Sequence, residues 1–183
     1  MRAIGYFVVL AAVLLVSGCG YNRMQQQDEG VKAAWSEVIN QYQRRADLVP
    51  NLVNTVKGYA THEEKVFDDI ANARSALLNA KDPQGKIQAN GQLDGALGRL
   101  LAISENYPNL KADQNFLSLQ AQLEGSENRI AVERRRYNET LRDYNIFVRQ
   151  FPNSIWAGML GFQPNNAYFE ASASSREAPA VKF

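Results

Sequence analysis

Apolar residues recur along this chain three and four positions apart between its prolines, the period of helices that bury one face. From about Met24 to Ala46 the stripe is Val31, Trp35, Val38 and Tyr42. A second helix, about Leu48 to Asn79, carries Val49, Leu52, Val56, Tyr59, Val66, Ile70 and Leu77 on one face. A third, about Gln84 to Glu105, has Leu93, Leu97, Leu100 and Ser104, and a fourth, about Leu110 to Gln150, has Phe116, Leu119, Leu123, Ile130, Tyr137, Tyr144, Phe147 and Phe151. The fourth would be roughly 60 Å long at the helical rise. No useful strand alternation precedes residue 152. The pattern predicts an all-α, antiparallel, up-and-down four-helix bundle with long helices.

Prolines at 50, 83, 108 and 152 read as element boundaries, because proline suits a first turn and not a helix interior. Asp47 is therefore expected as an N-cap with Pro50 in the first turn, which places a hairpin near Ala46–Val49. The stripe also runs in register through Arg45 and Val49, so one kinked helix from Met24 to Asn79 satisfies the same pattern. Gly85, Gly91, Gly95 and Gly98 lower the helicity of the third helix, and either permit close approach or leave it weak and exposed. After Pro152 the stripe is lost, but Trp156, Phe162, Tyr168 and Phe169 are too many large aromatics for a free tail. The first part of this segment is expected to pack back on the bundle, and residues 172–183 to be a mobile tail.

The first twenty residues are of another kind. Arg2 precedes an apolar run from Ile4 to Val16, shorter than the roughly 20 residues a spanning helix needs. It matches the hydrophobic region of a secretory signal. Leu15-Val16-Ser17-Gly18-Cys19 then resembles the lipobox of bacterial lipoproteins, which implies lipidation at Cys19. The alternative is an uncleaved membrane helix reaching about Tyr21. Both put the chain on a membrane, with the part after the anchor exported. Residues 1–20 are thus read as signal or anchor, 21–171 as the helical bundle and 172–183 as the tail.

Composition narrows the chemistry. With 20 basic and 19 acidic residues the net charge is +1, which leaves no basic footprint for nucleic acid. One cysteine and one histidine, His62, cannot build a Cys/His zinc site or a pair of Glu-x-x-His motifs. Neither a phosphate loop nor a Gly-x-Ser-x-Gly elbow occurs. No catalytic residue, metal or cofactor is expected, and the chain is read as a non-enzyme. Arg45, Glu63 and Glu133 fall on apolar stripes. A charge there needs a partner, so interhelical pairs of Glu63 or Glu133 with Arg45, Arg74 or Arg129 are expected. The rival is a polar internal pocket around Glu63 and Glu133 that binds a small ligand. The run Glu133-Arg134-Arg135-Arg136 reads as a solvated helix face.

Several segments together resemble the LemA family. They are Ala34-Trp35-Ser36, Arg44-Arg45-Ala46-Asp47-Leu48-Val49-Pro50-Asn51-Leu52-Val53, Val56-Lys57-Gly58-Tyr59-Ala60, Ala73-Arg74, Phe151-Pro152, Gly161-Phe162, Tyr168-Phe169-Glu170-Ala171 and Val181-Lys182-Phe183. The resemblance implies a four-helix bundle held at a bacterial membrane by its N-terminus, with no assigned catalytic activity. Genes of that family often neighbour those of membrane metalloproteases, which implies a link to envelope stress or quality control. Arg44, Arg45, Asp47, Pro50 and Asn51 match its signature and carry no known role. They are the expected surface for an unidentified protein partner, with the exposed face of the fourth helix as the other candidate.

Overall fold

Helix α1 runs unbroken from Arg2 to Lys57, straight through the point where a hairpin is expected. The structure, a computed structural model, describes the backbone of residues 2–60 and 62–169 and the side chains of residues 20–60 and 62–169. The expected tail at 172–183 and the anchor side chains lie outside that description. Tyr42, Ala46, Val49, Leu52 and Val56 are all buried, so a turn at 46–49 would forfeit a continuous apolar face. Asp47 is not an N-cap; it lies within α1 and accepts a hydrogen bond from Gln43 Nε2 at 3.0 Å.

Pro50 stands inside this helix on its exposed side. It has no N–H for the carbonyl of Ala46, and an interior proline ordinarily costs about 3 kcal/mol. Helix α2 (Glu64–Asn79) supplies the missing donor: Arg74 Nε bonds the Ala46 oxygen at 2.8 Å. The chain turns instead after Lys57, where the amides of Tyr59 and Ala60 both bond the Val56 carbonyl, at 3.0 and 2.9 Å, and Ala60 is buried.

Helix α3 (Pro83–Ser104) starts with Asp82, which accepts from the Gly85 amide at 2.8 Å with Pro83 behind it. Lys86 reaches back from α3 to the last carbonyls of α2, Leu77 and Leu78, at 2.7 and 3.1 Å. A Cβ at Gly91, Gly95 or Gly98 would meet nothing within 4 Å. These three glycines serve no close approach and lie on the exposed side of a helix that buries Leu93, Leu97 and Leu100, whereas a Cβ at Gly85 would stand 2.9 Å from Asp82 Oδ2. After the single turn α4 (Pro108–Lys111), Asp113 caps α5 (Gln114–Arg149) by accepting from the Phe116 amide at 2.9 Å. Helix α6 (Asn153–Leu160) closes on Gly161, whose φ of 83° only glycine adopts without strain.

Cross-contacts give the topology. Along α1, Gly20 abuts Asn153, Tyr42 meets Arg134, Arg45 meets Glu127 and Tyr59 meets Asp113, so α5 runs antiparallel to α1 for its whole length. Asp69 meets Arg99 and Leu77 meets Lys86, so α2 and α3 form a second antiparallel hairpin. That hairpin flanks only the half of the α1–α5 pair distal to the N-terminus. In the proximal half the outer layer is α6 and an extended strap, residues 161–169. The molecule is all-α with long antiparallel helices, and four of them lie side by side over part of its length only. Among the described residues there is no strand, and no helix long and apolar enough to cross a membrane.

Candidate functional site

Arg45 is 7% exposed and, among the described residues, is the one charged side chain in the buried set. It projects from α1 into the seam with α3 and α5, where Nη1 bonds Asp94 Oδ1 and, at 2.6 Å, Glu127 Oε2. Asn90, fully buried on α3, donates from Nδ2 to Asp94 Oδ2 at 2.9 Å. One cation thus ties together three helices. Burial holds the Asp94 carboxyl above the usual carboxylate range, with Arg45 opposing it and Glu127 reinforcing it. A cleft of about 260 Å³ opens beside this cluster, lined by Arg45, Asp94, Glu127, Leu97, Leu101 and Leu123 among others. Two buried polar atoms of the cluster, Arg45 Nε and Asn90 Oδ1, have no hydrogen-bond partner.

The other expected polar residues lie elsewhere. Glu63 precedes α2 and accepts from Tyr107 Oη at 3.3 Å, at the distal end. Glu133 sits midway along α5, with its Oε2 3.9 Å from Arg136 one turn on. Arg129 is exposed. Arg74 bonds a backbone carbonyl rather than a carboxylate. Arg45 is therefore paired across the bundle with Asp94 and Glu127, not with Glu63 or Glu133, and no pocket joins those two glutamates. The reason is register: the antiparallel α1–α5 pairing that sets Tyr42 against Arg134 and Tyr59 against Asp113 keeps Glu133 and Glu63 several turns apart. Asp94 and Glu127 were missed because each sits on a helix edge, which no apolar stripe marks.

The signature stretch of α1 divides in two. Arg45 faces inward, whereas Arg44, Asp47, Pro50 and Asn51 are exposed along one side of the helix. Of these four, Pro50 lines a groove of about 260 Å³ between α1 and α2, floored by Val49, Val53, Phe67 and Ile70 and rimmed by Asn54, Lys57, Asp68 and Arg74. Arg45 is therefore removed from the expected docking surface, and Arg44, Asp47, Pro50 and Asn51 remain on it.

At the proximal end the strap is held by two asparagines of α5. Asn138 donates to the Phe169 carbonyl and accepts from its amide, both at 2.9 Å. Asn145 does the same for Asn165, at 2.7 and 2.9 Å, and also donates to Tyr168 Oη at 2.8 Å. Phe169 stacks on Trp35 with ring centres 5.7 Å apart and meets Tyr137 edge-on at 5.5 Å. Arg134 lies over Phe169 and Tyr42 at 5.3 and 5.5 Å. Phe162, at the other end, packs edge-on against Tyr21. Seven extended residues cover about 23 Å, close to the rise of about 21 Å between Tyr21 and Trp35 on α1. Phe162, Tyr168 and Phe169 are thus packed on the bundle, as expected, whereas Trp156 is exposed.

Comparison with known proteins agrees with the resemblance carried by these segments. Two magnetosome proteins of Paramagnetospirillum magneticum, MamQ 1 and MamQ 2, are each 27% identical over 192 residues, which covers 91% of this chain and 70% of the relative. Protein LemA of Metamycoplasma hominis is 26% identical over 156 residues, 85% of this chain and 71% of the relative. The profile described as LemA family matches residues 34–183, a span that includes the signature stretch of α1, the Arg74 donor and the aromatic strap, and this chain belongs to the LemA family.

Proposed function

We propose that this chain is a non-catalytic scaffold of the bacterial cell envelope, tethered by its N-terminus to a membrane, with its bundle on the extracytoplasmic side. The stripe Arg44, Asp47, Pro50 and Asn51 on α1 docks a protein partner over the α1–α2 groove. One observation carries this reading. The inward half of the signature stretch is consumed in folding, by the Arg45 ion pairs and the Arg74–Ala46 bond, while its outward half faces solvent and reaches an apolar-floored groove at Pro50. An apolar floor with a polar rim is the anatomy of a protein-binding patch. The test is cross-linking in cells followed by mass spectrometry, comparing wild type with Arg44→Glu plus Asn51→Arg. Loss of the cross-linked partner with an unchanged circular dichroism spectrum is expected; undiminished capture rejects this surface.

A second reading, a small-ligand or sensory bundle, rests on the unpartnered Nε of Arg45, which lines the α3–α5 cleft, and on Asn90 Oδ1, unpartnered in the same cluster. A high-resolution crystal structure decides it: ordered water satisfying both atoms removes the reading, and a bound organic molecule establishes it.

A further inference from the structure

Helix α6 turns its apolar side away from the protein. Ala157 is its buried contact, while Ile155, Trp156, Met159 and Leu160 are exposed, Met159 by 74%, and the adjoining Phe151 by 81%. At about 100° per residue the four exposed side chains of α6 span roughly 140° of the helix. Burying such residues is what ordinarily holds a helix in place, so an outward-facing set of this kind calls for an occupant.

Its position names the occupant. The first residue of α6, Asn153, lies against Gly20, its Oδ1 3.5 Å from where a Cβ of residue 20 would stand. Gly20 follows Cys19 directly and is four residues beyond the apolar run Ile4–Val16. Either form of anchor therefore brings the lipid surface to the level of α6. Charge at this end fits the same surface. Residues 144–169 contain one charged side chain, Arg149, and residues 20–27 contain one, Arg23, so no carboxylate faces anionic headgroups. Trp156 and Tyr21, both exposed, are the residue types that settle at a membrane–water boundary. A second protein copy is a poorer fit, because one eight-residue helix falls well short of the ~800 Å² per partner of a stable interface.

We propose that α6 is an interfacial membrane helix, with Ile155, Trp156, Met159 and Leu160 lying among the headgroups and upper acyl chains beside the anchor. It holds the long α1–α5 rod at a fixed angle to the bilayer, through the Asn153–Gly20 contact and the strap. This rests on the membrane tether proposed above, and the experiment separates the two. The full chain in a Trp35→Phe background, which leaves Trp156 as the sole tryptophan, is reconstituted into phosphatidylcholine–phosphatidylglycerol vesicles with bromines at a shallow acyl position. Co-sedimentation with the vesicles and loss of the greater part of Trp156 emission, relative to unbrominated vesicles, are expected. Co-sedimentation with unchanged emission overturns the interfacial helix and leaves the tether standing. A chain that stays in the supernatant overturns both. Should Trp35→Phe disturb the fold, the unsubstituted chain answers with a headgroup-proximal photoactivatable phospholipid: labelling within residues 151–160 supports the proposal, and labelling confined to the N-terminal segment rejects it. Cross-links between copies at position 156, without lipid labelling, would assign the patch to self-association instead.

Discussion

Two arginines tie α1 to the rest of the bundle. Arg74 replaces the backbone donor that Pro50 lacks, and a buried carbonyl left without a partner costs about 1–3 kcal/mol. Arg74→Met should lower the free energy of urea denaturation by about that amount. In a Pro50→Ala background, where residue 50 regains its own N–H, the same substitution should cost distinctly less; equal costs in both backgrounds would show that the two residues do not act through Ala46. Arg45→Met leaves Asp94 and Glu127 facing each other uncompensated. Because those carboxylates are 35% and 45% exposed, the loss should fall below the roughly 3–5 kcal/mol of a fully buried pair, to about 2 kcal/mol. The acid side separates two aspartates of opposite sign. Asp94, its pKa raised chiefly by burial, holds its proton more tightly in the folded chain, so its contribution is present below the ordinary aspartate value of about 4 and is lost as pH rises through the raised one. Asp113, its pKa lowered chiefly by the Phe116 amide and then by Tyr59, contributes above the ordinary value and loses it as pH falls. Denaturation midpoints measured against pH should therefore lose part of their acid-side decline in Asp113→Asn, and part of their decline with rising pH in Asp94→Asn.

Among the elements, α3 is the one whose own sequence opposes its structure. Gly91, Gly95 and Gly98 face open space, so alanine at each should stabilise the chain by about 0.5–1 kcal/mol, seen as a raised denaturation midpoint. The strap behaves oppositely, being held on α5 by the side chains of Asn138 and Asn145. Asn138→Ala removes both hydrogen bonds to Phe169 and should quicken hydrogen exchange across 165–169 while leaving α2 and α3 unchanged. Exchange that rises uniformly would mean that the strap and the α2–α3 hairpin unfold as one unit.

For the molecule as a whole, the α1–α5 pair is a spine dressed differently at its two ends. The α2–α3 hairpin covers the distal half, and α6 with the strap covers the half next to the anchor. The proposed partner stripe at residues 44–51 lies well along α1 from Gly20, about 40 Å at the helical rise, so a partner docked there would be held off the bilayer. Metabolic labelling with a fatty-acid analogue tests the anchor itself. Label present in wild type and absent from Cys19→Ala is expected for a lipoprotein, and an unlabelled chain that remains in the membrane fraction is the result for a spanning helix.

Periodicity alone determined the all-α character and most of the buried positions of α3 and α5, because each depends on residues close together in the chain. The residue order also carried the family signature, and the apolar stripe flagged Arg45 as a charge in need of partners. The single helix across Pro50, the identity of those partners as Asp94 and Glu127, and the outward face of Phe151 and α6 were decided by tertiary structure. In each case the deciding group is supplied from elsewhere: an Arg74 guanidinium 28 residues from the carbonyl it satisfies, carboxylates 49 and 82 residues from Arg45, and Gly20 against Asn153. A local pattern records which side chains must be buried or paired; only the packed register says with what.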